Sequence, residues 1–225
     1  MLKKILKHIK KRTLFSATYN RILKPKKNQK IPWQLKIDMS SKFYLIKPIL
    51  EEMQVKSVLD VGCNAGVITR LSGDSGYFSV GFDKNINFQS IKEPLKNVCI
   101  GNIELSVGLI ERLPVFDSIL LLSVHHLFIK KHGDKWTRNI VANLAKKADK
   151  VFFLEFAALN RKYSDKDTLF SDNDEKSIVK YAYNWLGTTL LDFSITYIGK
   201  SAMRKKEPYR FMFACKRSEN SQADK

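Results

Sequence analysis

The feature that most constrains the fold is a strand, a glycine-containing turn and the start of a helix within residues 57–71, SVLDVGCNAGVITRL. Three apolar residues between positions 58 and 61 indicate a short buried strand, and Gly62 and Gly66 follow in the turn. Glycine lets the backbone pass close to a ligand, and the first N–H groups of a helix can bind the ligand's polar atoms. The pattern predicts a nucleotide-like ligand here, with Asp60 as a hydrogen-bond acceptor.

The spacing of the glycines separates two kinds of nucleotide site. A dinucleotide-binding turn needs G-x-G-x-x-G, and residues 62–67, GCNAGV, lack the third glycine. Residues 60–66, DVGCNAG, instead resemble the first motif of class I S-adenosylmethionine (SAM) methyltransferases, D-x-G-x-G-x-G. Asn64 replaces the middle glycine, and asparagine tolerates a left-handed backbone. The alternative is an ordinary βα turn of another α/β protein. The resemblance implies cofactor contacts by Asp60, Gly62, Cys63, Asn64 and Gly66.

Two further strands extend the resemblance. Residues 77–82, YFSVGF, form a predicted second strand that ends at Asp83, 23 residues after Asp60, which suits one βα unit. A carboxylate in this place can accept hydrogen bonds from both ribose hydroxyls, although a surface aspartate could also end a strand. Residues 97–100 are a candidate third strand. By resemblance, Asn102 and Ile103 after it contact the adenine amine and ring, with an amide oxygen as acceptor in place of the family's carboxylate.

The fourth predicted strand, 114–124 (PVFDSILLLSV), is a long apolar run that suits a central parallel strand buried on both faces. Its end would bring Ser123 and the two following histidines to the carboxyl edge of the sheet, where ligands bind. Asp117 and this Ser-x-x-His-like ending resemble the fourth motif of SAM methyltransferases that act on small molecules, lipids and glycans, which implies a cofactor contact by Ser123. The N/D-P-P-Y/F motif of enzymes that methylate base amines is absent from the sequence.

His125 and His126 are the candidate catalytic residues. A neutral imidazole could take a proton from an acceptor hydroxyl, and a protonated one could hold an anion. Because neighbouring residues point in different directions, at most one should face the acceptor, and we favour His126. The alternative is a histidine that caps the following loop.

The rest of the chain completes a Rossmann-like class I methyltransferase fold. Residues 150–156 form a fifth strand, 174–186 a helix, and 190–198 and 209–216 two final strands. We therefore expect a seven-stranded, mostly parallel sheet with an antiparallel last strand and helices on both faces. The fourth and fifth strands would bring several groups to the cofactor's edge, which suggests an anionic acceptor. These groups are Lys130, Lys131, Arg161, Lys162, Tyr163 and Lys166.

Much of the net charge of +18 lies at the N-terminus. Residues 1–30 hold eleven Lys or Arg and no acid, which leaves 29 basic and 22 acidic residues, a net +7, in the remainder. Residues 1–12 place four apolar side chains on one helical face and lysines on the others. This pattern is typical of a helix on an anionic membrane surface, where each Lys or Arg contributes roughly 1 kcal/mol. The alternatives are a helix packed on its own domain, a frayed tail and an arm that binds RNA phosphates.

Length and composition predict one domain with appendages. We expect an arm over residues 1–30, a methyltransferase domain over 31–217 and a disordered tail over 218–225. The three cysteines match neither a disulfide framework nor a zinc site, and no apolar run approaches the roughly 20 residues that span a bilayer. The expected location is the cytoplasm, including the inner membrane surface. A lid over the cofactor would use Trp33, Phe43 or Tyr44, with core packing as the alternative.

The resemblance implies a SAM-dependent methyltransferase. Methyl transfer from a sulfonium needs alignment and exclusion of water more than a catalytic triad, a metal or paired carboxylates, and none of these is evident. The Ser-Val-His-His ending of the fourth strand and the lysine-rich start resemble small bacterial methyltransferases that act on surface polysaccharides or lipid-linked glycans. This resemblance implies a small-molecule, glycan or lipid-linked saccharide acceptor. The alternatives are an RNA methyltransferase acting on a 5′ phosphate or ribose, and a SAM-binding module without catalysis.

Overall fold

The computed structural model describes residues 39–86, 96–157, 175–202 and 209–218, which form one seven-stranded sheet with helices on both faces. The strands are β1 (Ser57–Val61), β2 (Phe78–Asp83), β3 (Val98–Asn102), β4 (Phe116–Leu121), β5 (Ala148–Ala157), β6 (Phe193–Ala202) and β7 (Tyr209–Arg217). The helices are α1 (Met39–Glu52), α2 (Val67–Asp74), α3 (Val107–Arg112), α4 (His125–His132), α5 (Asp134–Lys146) and α6 (Glu175–Gly187).

The strand order is β3-β2-β1-β4-β5-β7-β6. Strands β1 to β5 pair in parallel, whereas β7 runs antiparallel to both β5 and β6. The direction in which successive strands are added reverses between β1 and β4, and open α/β sheets bind ligands in the crevice at such a point. The predicted fold class, including the antiparallel last strand, is confirmed.

Two apolar layers hold the helices on the sheet because successive side chains of a strand point to opposite faces. Leu59 packs in the layer that contains Trp185 of α6, and its neighbour Val58 packs in the opposite layer with Phe43 of α1. All four side chains are buried. Phe43 therefore packs in the core, as in the alternative to a lid that the sequence left open.

The sequence predicts a helix over residues 47–56 that leads into the first strand, and the observed first helix starts earlier. It begins at Met39 and contains Pro48, although an interior proline costs about 3 kcal/mol through its lost hydrogen bond and steric clash. Three fully buried apolar side chains lie on its inner face: Phe43, Ile46 and Leu50. Each contributes about 1.5–3 kcal/mol on burial, so packing offsets the cost of the proline.

Strand β6 begins three residues later than predicted. The N–H of Leu190 donates to the carbonyl of Leu186 at 2.7 Å, so Leu190 closes the end of α6 instead of starting the strand.

Several predicted features lie outside the described residues: the basic arm (1–30), Trp33, the loop with Arg161, Lys162, Tyr163 and Lys166, and residues 219–225.

Candidate functional site

The turn between β1 and α2 contains three left-handed backbone positions, with φ of 78° at Gly62, 51° at Asn64 and 68° at Gly66. Asparagine tolerates this conformation better than most residues that have a side chain, so Asn64 can stand where a glycine is expected. The N–H groups of Gly62 and Cys63 donate to the carbonyl of Phe82 at 2.8 and 3.1 Å. These bonds tie the turn to the end of β2.

A side chain at either glycine would also displace a neighbouring side chain. A Cβ at Gly62 would lie 2.3 Å from Cγ2 of Val124, and a Cβ at Gly66 would lie 2.4 Å from Cδ1 of Ile100. Carbon atoms in contact are normally separated by about 3.5–4.0 Å. The turn therefore packs its backbone directly against the residues after β4 and within β3, at the crevice between β1 and β4.

Asp83, at the end of β2, connects the turn to the loop that follows β2. Its Oδ2 accepts a 3.1 Å hydrogen bond from the N–H of Asn64, and its Oδ1 accepts a 2.9 Å bond from the N–H of Asn85. A carboxylate offers about four acceptor positions, so about two remain for a ligand. This geometry can accommodate two neighbouring hydroxyl donors, as on a ribose ring.

A cavity of about 480 Å³ opens beside Asp83, within the usual size range of small-molecule sites. Four of the residues predicted to bind the cofactor line this cavity: Gly62, Asn64, Asp83 and Ile103. Its volume suits a nucleoside with a short polar extension.

Part of the cavity lining is aromatic. Phe128 meets Trp136 edge-on, with ring centroids 5.4 Å apart, and His132 stacks on Trp136 at 4.1 Å. Trp136 lines the cavity, and sequence analysis did not identify it as a site residue. Aromatic rings next to hydrogen-bond acceptors are typical of sites that hold a flat heterocycle.

The rim of the cavity is charged. Lys84 and Lys131 each place Nζ 3.8 Å from Oε1 of Glu104, and all three side chains are at least half exposed. Lys131 was predicted to lie near the cofactor, and it lines the cavity. Exposed ion pairs at such distances contribute little energy, so the rim can rearrange when a ligand enters.

Asp60 lies behind the turn and does not line the cavity. Its Oδ2 accepts a 2.7 Å hydrogen bond from the hydroxyl of Thr69, and both side chains are buried. Burial raises the pKa of Asp60 from 3.8 to about 6, although the Thr69 hydrogen bond opposes this shift. In this geometry the Asp60 carboxylate supports the turn from below.

Two other residues predicted to bind the cofactor, Cys63 and Asn102, do not line the cavity. Burial raises the pKa of the Cys63 thiol far above its ordinary value, so the thiol stays protonated behind the turn. The carbonyls of Asp83 and Lys84 require the Asn102 amide to turn its nitrogen toward them, and that nitrogen then donates to them at 3.0 and 2.7 Å. Asn102 therefore braces the loop after β2, and Ile103 next to it is 42% exposed at the cavity.

The two histidines begin α4 and are both buried. His125 packs between the rings of Phe156 and Trp185, with centroids at 4.4 and 4.7 Å, and this aromatic contact places it in the core. The pKa of each imidazole is lowered to about 3, mainly by burial, and the positive charge of Arg210 contributes to the shift at His126. Both rings are therefore neutral at pH 7, and neither lines the cavity of 480 Å³.

Ser123 lies in a buried polar cluster at the carboxyl ends of β4 and β5. Its hydroxyl donates to Oε1 of Glu155 at 3.0 Å and accepts from Nζ of Lys42 at 2.8 Å. Lys42 also bonds Oε2 of Glu155 at 2.5 Å, and Nε of Arg210 lies 3.6 Å from Oε1. We call Lys42, Ser123, Glu155 and Arg210 the β5-edge cluster.

Sequence analysis did not identify Lys42, Glu155 or Arg210 as site residues. A signal was present, since Glu155 interrupts the otherwise apolar end of β5, and a charge in a buried strand requires a partner. Asp117, which resembled a motif residue, lies at the other edge of the sheet. Its Oδ2 accepts from the N–H groups of Lys56 and Ser57 at 2.5 and 3.2 Å, a structural link between β1 and β4.

No protein-family model and no curated protein matches the sequence. Solved structures do resemble the chain. Magnesium protoporphyrin IX methyltransferase (ChlM) from Synechocystis PCC 6803 with bound SAM matches with a TM-score of 0.55 and 15% identity, over 89% of both chains. The bifunctional kinase-methyltransferase WbdD matches with a TM-score of 0.54 and 17% identity, over 79% of this chain and 39% of WbdD. The methyltransferase domain of bacterial CtHen1 matches with a TM-score of 0.50 and 13% identity, over 78% and 97%.

At these identities the comparison establishes the fold, which is that of class I methyltransferases, as predicted. This chain corresponds to well under half of WbdD. One solved ChlM structure holds SAM and another holds its demethylated product, SAH. Within the described ranges, no helix is both long enough and apolar enough to cross a membrane.

Proposed function

We propose that this protein is a SAM-dependent methyltransferase. The observation that carries the proposal is the link between Asp83 and the left-handed turn, at a cavity of about 480 Å³ in the β1/β4 crevice. ChlM, which has the same fold, binds SAM and SAH. SAM supplies a methyl group on an already activated sulfonium, so the protein must mainly align the acceptor and exclude water. Such positioning can lower a barrier by about 7–11 kcal/mol.

Each part of the cavity has a role in this proposal. The remaining lone pairs of Asp83 would accept from the ribose hydroxyls, and the backbone of the turn at Gly62 and Asn64 would contact the amino-acid portion. Ile103 and the ring of Phe128 would cover the adenine. The close contact between Gly62 and Val124 leaves no room for a side chain, which keeps the backbone accessible.

The acceptor would bind at the carboxyl ends of β4 and β5. His126 lies there with a pKa of about 3, so its neutral ring would accept a hydrogen bond from an acceptor hydroxyl but would hold a proton weakly. An activated methyl donor requires little help from a base, and a weak one is compatible with the reaction. We propose an acceptor among small molecules, glycans and lipid-linked saccharides.

The basic arm would bring the enzyme to an anionic membrane surface on the cytoplasmic side. Residues 1–30 carry eleven basic side chains and no acid, with apolar residues at helical spacing in 1–12. Flotation with vesicles of anionic lipids tests this part, using the full chain and a variant with Lys3, Lys4, Lys7 and Lys10 changed to Gln. Equal flotation of the two proteins would exclude the membrane role.

The same charge favours RNA as a second candidate acceptor. RNA bound through phosphates would show an affinity that falls steeply with salt, and the four Lys→Gln changes would reduce that slope. Binding that is weak and insensitive to the arm would remove this candidate.

Calorimetry with SAM and SAH tests the cofactor assignment, with a nicotinamide dinucleotide as the competing ligand. We expect SAH to bind the full chain and an Asp83→Ala variant to bind it at least about tenfold more weakly. Consumption of SAM with extracted lipid-linked glycans, lost in the same variant, would separate an enzyme from a non-catalytic SAM-binding module. Binding of the dinucleotide but not of SAH would refute the proposal.

A further inference from the structure

Ser123, just beyond β4, has a backbone conformation that serine rarely adopts. Its φ is 60°, in the left-handed region, which is unfavourable for a residue with a Cβ because that atom approaches the following carbonyl oxygen. Backbone positions of this kind persist only where the surrounding structure holds them, and they are concentrated at functional sites. The contacts that keep Ser123 in this conformation therefore indicate what it does.

The Ser123 hydroxyl is held from two sides by the β5-edge cluster. It accepts from Nζ of Lys42 at 2.8 Å and donates to Oε1 of Glu155 at 3.0 Å. Lys42 belongs to α1 and Glu155 to β5, and their side chains are fully buried and paired with each other. The two hydrogen bonds therefore attach the residue after β4 to two elements of the core.

The residues that follow Ser123 form part of the cofactor cavity. Val124 lines the cavity, and its carbonyl accepts from the N–H groups of Leu127 and Phe128 at 2.9 and 3.1 Å, in the first turn of α4. Four residues of α4 line the same cavity: Leu127, Phe128, Lys131 and His132. The backbone direction at Ser123 therefore sets the position of α4 beside the cavity.

Val124 also connects Ser123 to the glycine turn. A Cβ at Gly62 would lie 2.3 Å from Cγ2 of Val124, so the Val124 side chain lies directly against the backbone of Gly62. The turn after β1 and the helix after β4 meet at this contact. A change of the backbone at Ser123 would move Val124 and alter both sides of the cavity together.

The Ser123 hydroxyl acts from outside the cavity lining. Ser123 is not among the described residues that line the cavity. A hydroxyl has one donor and two acceptor positions, and here Glu155 takes the donor while Lys42 takes one acceptor position. This geometry favours an effect of Ser123 through its backbone over the direct cofactor contact that the sequence resemblance implies.

We infer that Ser123 is a positioning residue: Lys42 and Glu155 hold its hydroxyl, and the left-handed backbone fixed in this way places Val124 and α4 at the cofactor cavity. This inference rests on the proposed methyltransferase function. Without the hydroxyl, a residue with a Cβ would leave the left-handed conformation in most molecules. The apparent cofactor affinity then falls with the fraction of molecules that keep the binding-competent arrangement.

Two substitutions at Ser123 test the inference by calorimetry of SAH with the full chain. Ser123→Ala removes the hydroxyl and keeps the cost of a left-handed backbone, whereas Ser123→Gly removes both, because glycine adopts positive φ freely. The direct pair between Lys42 and Glu155 remains in both variants. We expect Ser123→Ala to bind SAH about tenfold more weakly than the wild type, and Ser123→Gly to stay within about threefold of it.

Ser57 provides the matched control. Its hydroxyl accepts a 2.9 Å hydrogen bond from the N–H of Asp117, and its backbone is that of a β-strand. Ser57→Ala and Ser57→Gly should each change SAH affinity by less than about twofold. Urea unfolding should also give opposite orders of stability at the two positions. Glycine should be more stable than alanine at 123 and less stable at 57, because glycine is unfavourable within a strand.

Two results would overturn the inference in a wild type that binds SAH. An equal loss of affinity in Ser123→Ala and Ser123→Gly would show that the hydroxyl itself contacts the cofactor, and no loss in either would show that it has no role. If Ser123→Ala does not fold, Ser123→Gly decides alone. SAH binding within about threefold of the wild type supports positioning, and a tenfold loss refutes it.

The proposed function can fail independently of this inference. A wild-type chain that ignores SAH refutes the cofactor assignment, and the order of stability at position 123 then still tests whether the hydroxyl holds a strained backbone. Alanine more stable than glycine at this position would refute that role.

Discussion

The hydroxyl of Thr69 donates a 2.7 Å hydrogen bond to Oδ2 of Asp60, and this contact joins α2 to β1 beneath the glycine turn. A glycine on the neighbouring strand makes the contact possible, because a Cβ at Gly81 would lie 2.5 Å from Oγ1 of Thr69. Three elements therefore meet at one buried carboxyl group. The pKa of Asp60, raised by burial to about 6, makes the strength of this contact dependent on pH.

The change Thr69→Val should destabilise the protein more at high pH than at low pH. Because the folded-state pKa of Asp60 lies above 3.8, its ionisation opposes folding, and stability falls as the pH rises from that value through about 6. The Thr69 hydrogen bond limits this loss. Without it, we expect a cost of about 1.5–3 kcal/mol above pH 7, where the carboxylate is charged, and about 0.5–1.5 kcal/mol near pH 4. Urea unfolding at the two pH values measures both costs.

Thr137→Val is the control for this prediction. The Thr137 hydroxyl is also buried and donates to the carbonyl of Gly133 at 2.8 Å, which is a neutral partner. Its replacement should cost about 0.5–1.5 kcal/mol at either pH. If the free energy lost by Thr69→Val is as independent of pH as that lost by Thr137→Val, the Thr69 hydrogen bond is not coupled to the charge of Asp60.

Gly62→Ala should weaken both folding and SAH binding. The new methyl group would meet Val124, and φ of 78° would strain any residue with a Cβ by about 1–2 kcal/mol. We expect unfolding to become easier by about 2 kcal/mol or more and SAH to bind at least about tenfold more weakly in calorimetry. Adding Val124→Ala should restore only the part of the lost stability that is due to the collision with Val124, because the backbone strain at residue 62 remains.

Gly108→Ala provides the contrasting case. Gly108 lies inside α3, and no heavy atom stands within 4 Å of the position of its missing Cβ. Alanine should stabilise the protein by about 0.5–1 kcal/mol and leave SAH affinity unchanged. A similar loss of affinity at both glycines would show that the effect is not specific to the turn.

The sheet could be predicted from the sequence because parallel strands buried on both faces appear as short apolar runs. All seven strands occur near their predicted positions, and the predictions were wrong only about where individual strands begin or end. The fourth strand stops at Leu121 and not at Val124, and Ser123 just beyond it has a left-handed backbone. The start of α1 was missed because a proline such as Pro48 locally indicates the first turn of a helix. In the folded chain, burial of Phe43 in the core favours a helix that begins earlier and continues past Pro48.

The candidate site was predictable only where local geometry demands a residue type. Glycines at 62 and 66 are such positions, since both have a left-handed backbone and a Cβ at either would displace a neighbouring side chain. Lys42 and Glu155 are 113 residues apart and meet only because α1 covers the end of β5. No local pattern specifies that contact, so the β5-edge cluster could be recognised only in the folded chain.

Asp83→Asn should reduce SAH affinity at least about tenfold with little change in the fold. The amide keeps the shape of the carboxyl group but replaces one acceptor with a donor, which would then face the N–H of Asn64 or Asn85. Calorimetry gives the affinity, and urea unfolding gives the stability.

Glu104→Gln tests whether any acid at the cavity has the same effect as Asp83. Glu104 also lines the cavity, but its carboxylate is 66% exposed and lies 3.8 Å from two lysine ammonium groups. Its replacement should change SAH affinity by less than about twofold, because exposed pairs of this kind contribute little. If Glu104→Gln weakens SAH binding as much as Asp83→Asn does, then SAH affinity depends on the general negative charge of the cavity and not on the hydrogen bonds of the Asp83 carboxylate.

Lys42→Met should be among the most destabilising single changes, whereas Lys42→Met combined with Glu155→Leu should recover much of the loss. The single change leaves the Glu155 carboxylate buried with Arg210 at 3.6 Å as its remaining cation, and breaking a buried pair typically costs about 3–5 kcal/mol. The double change removes the uncompensated charge and fills the space with apolar atoms. Lys216→Met, which breaks an exposed pair with Glu52, should cost less than about 1 kcal/mol. Urea unfolding of the wild type, Lys42→Met, Glu155→Leu and the double variant measures the coupling. Additive losses for the two single changes would mean that the two side chains do not form a pair in solution.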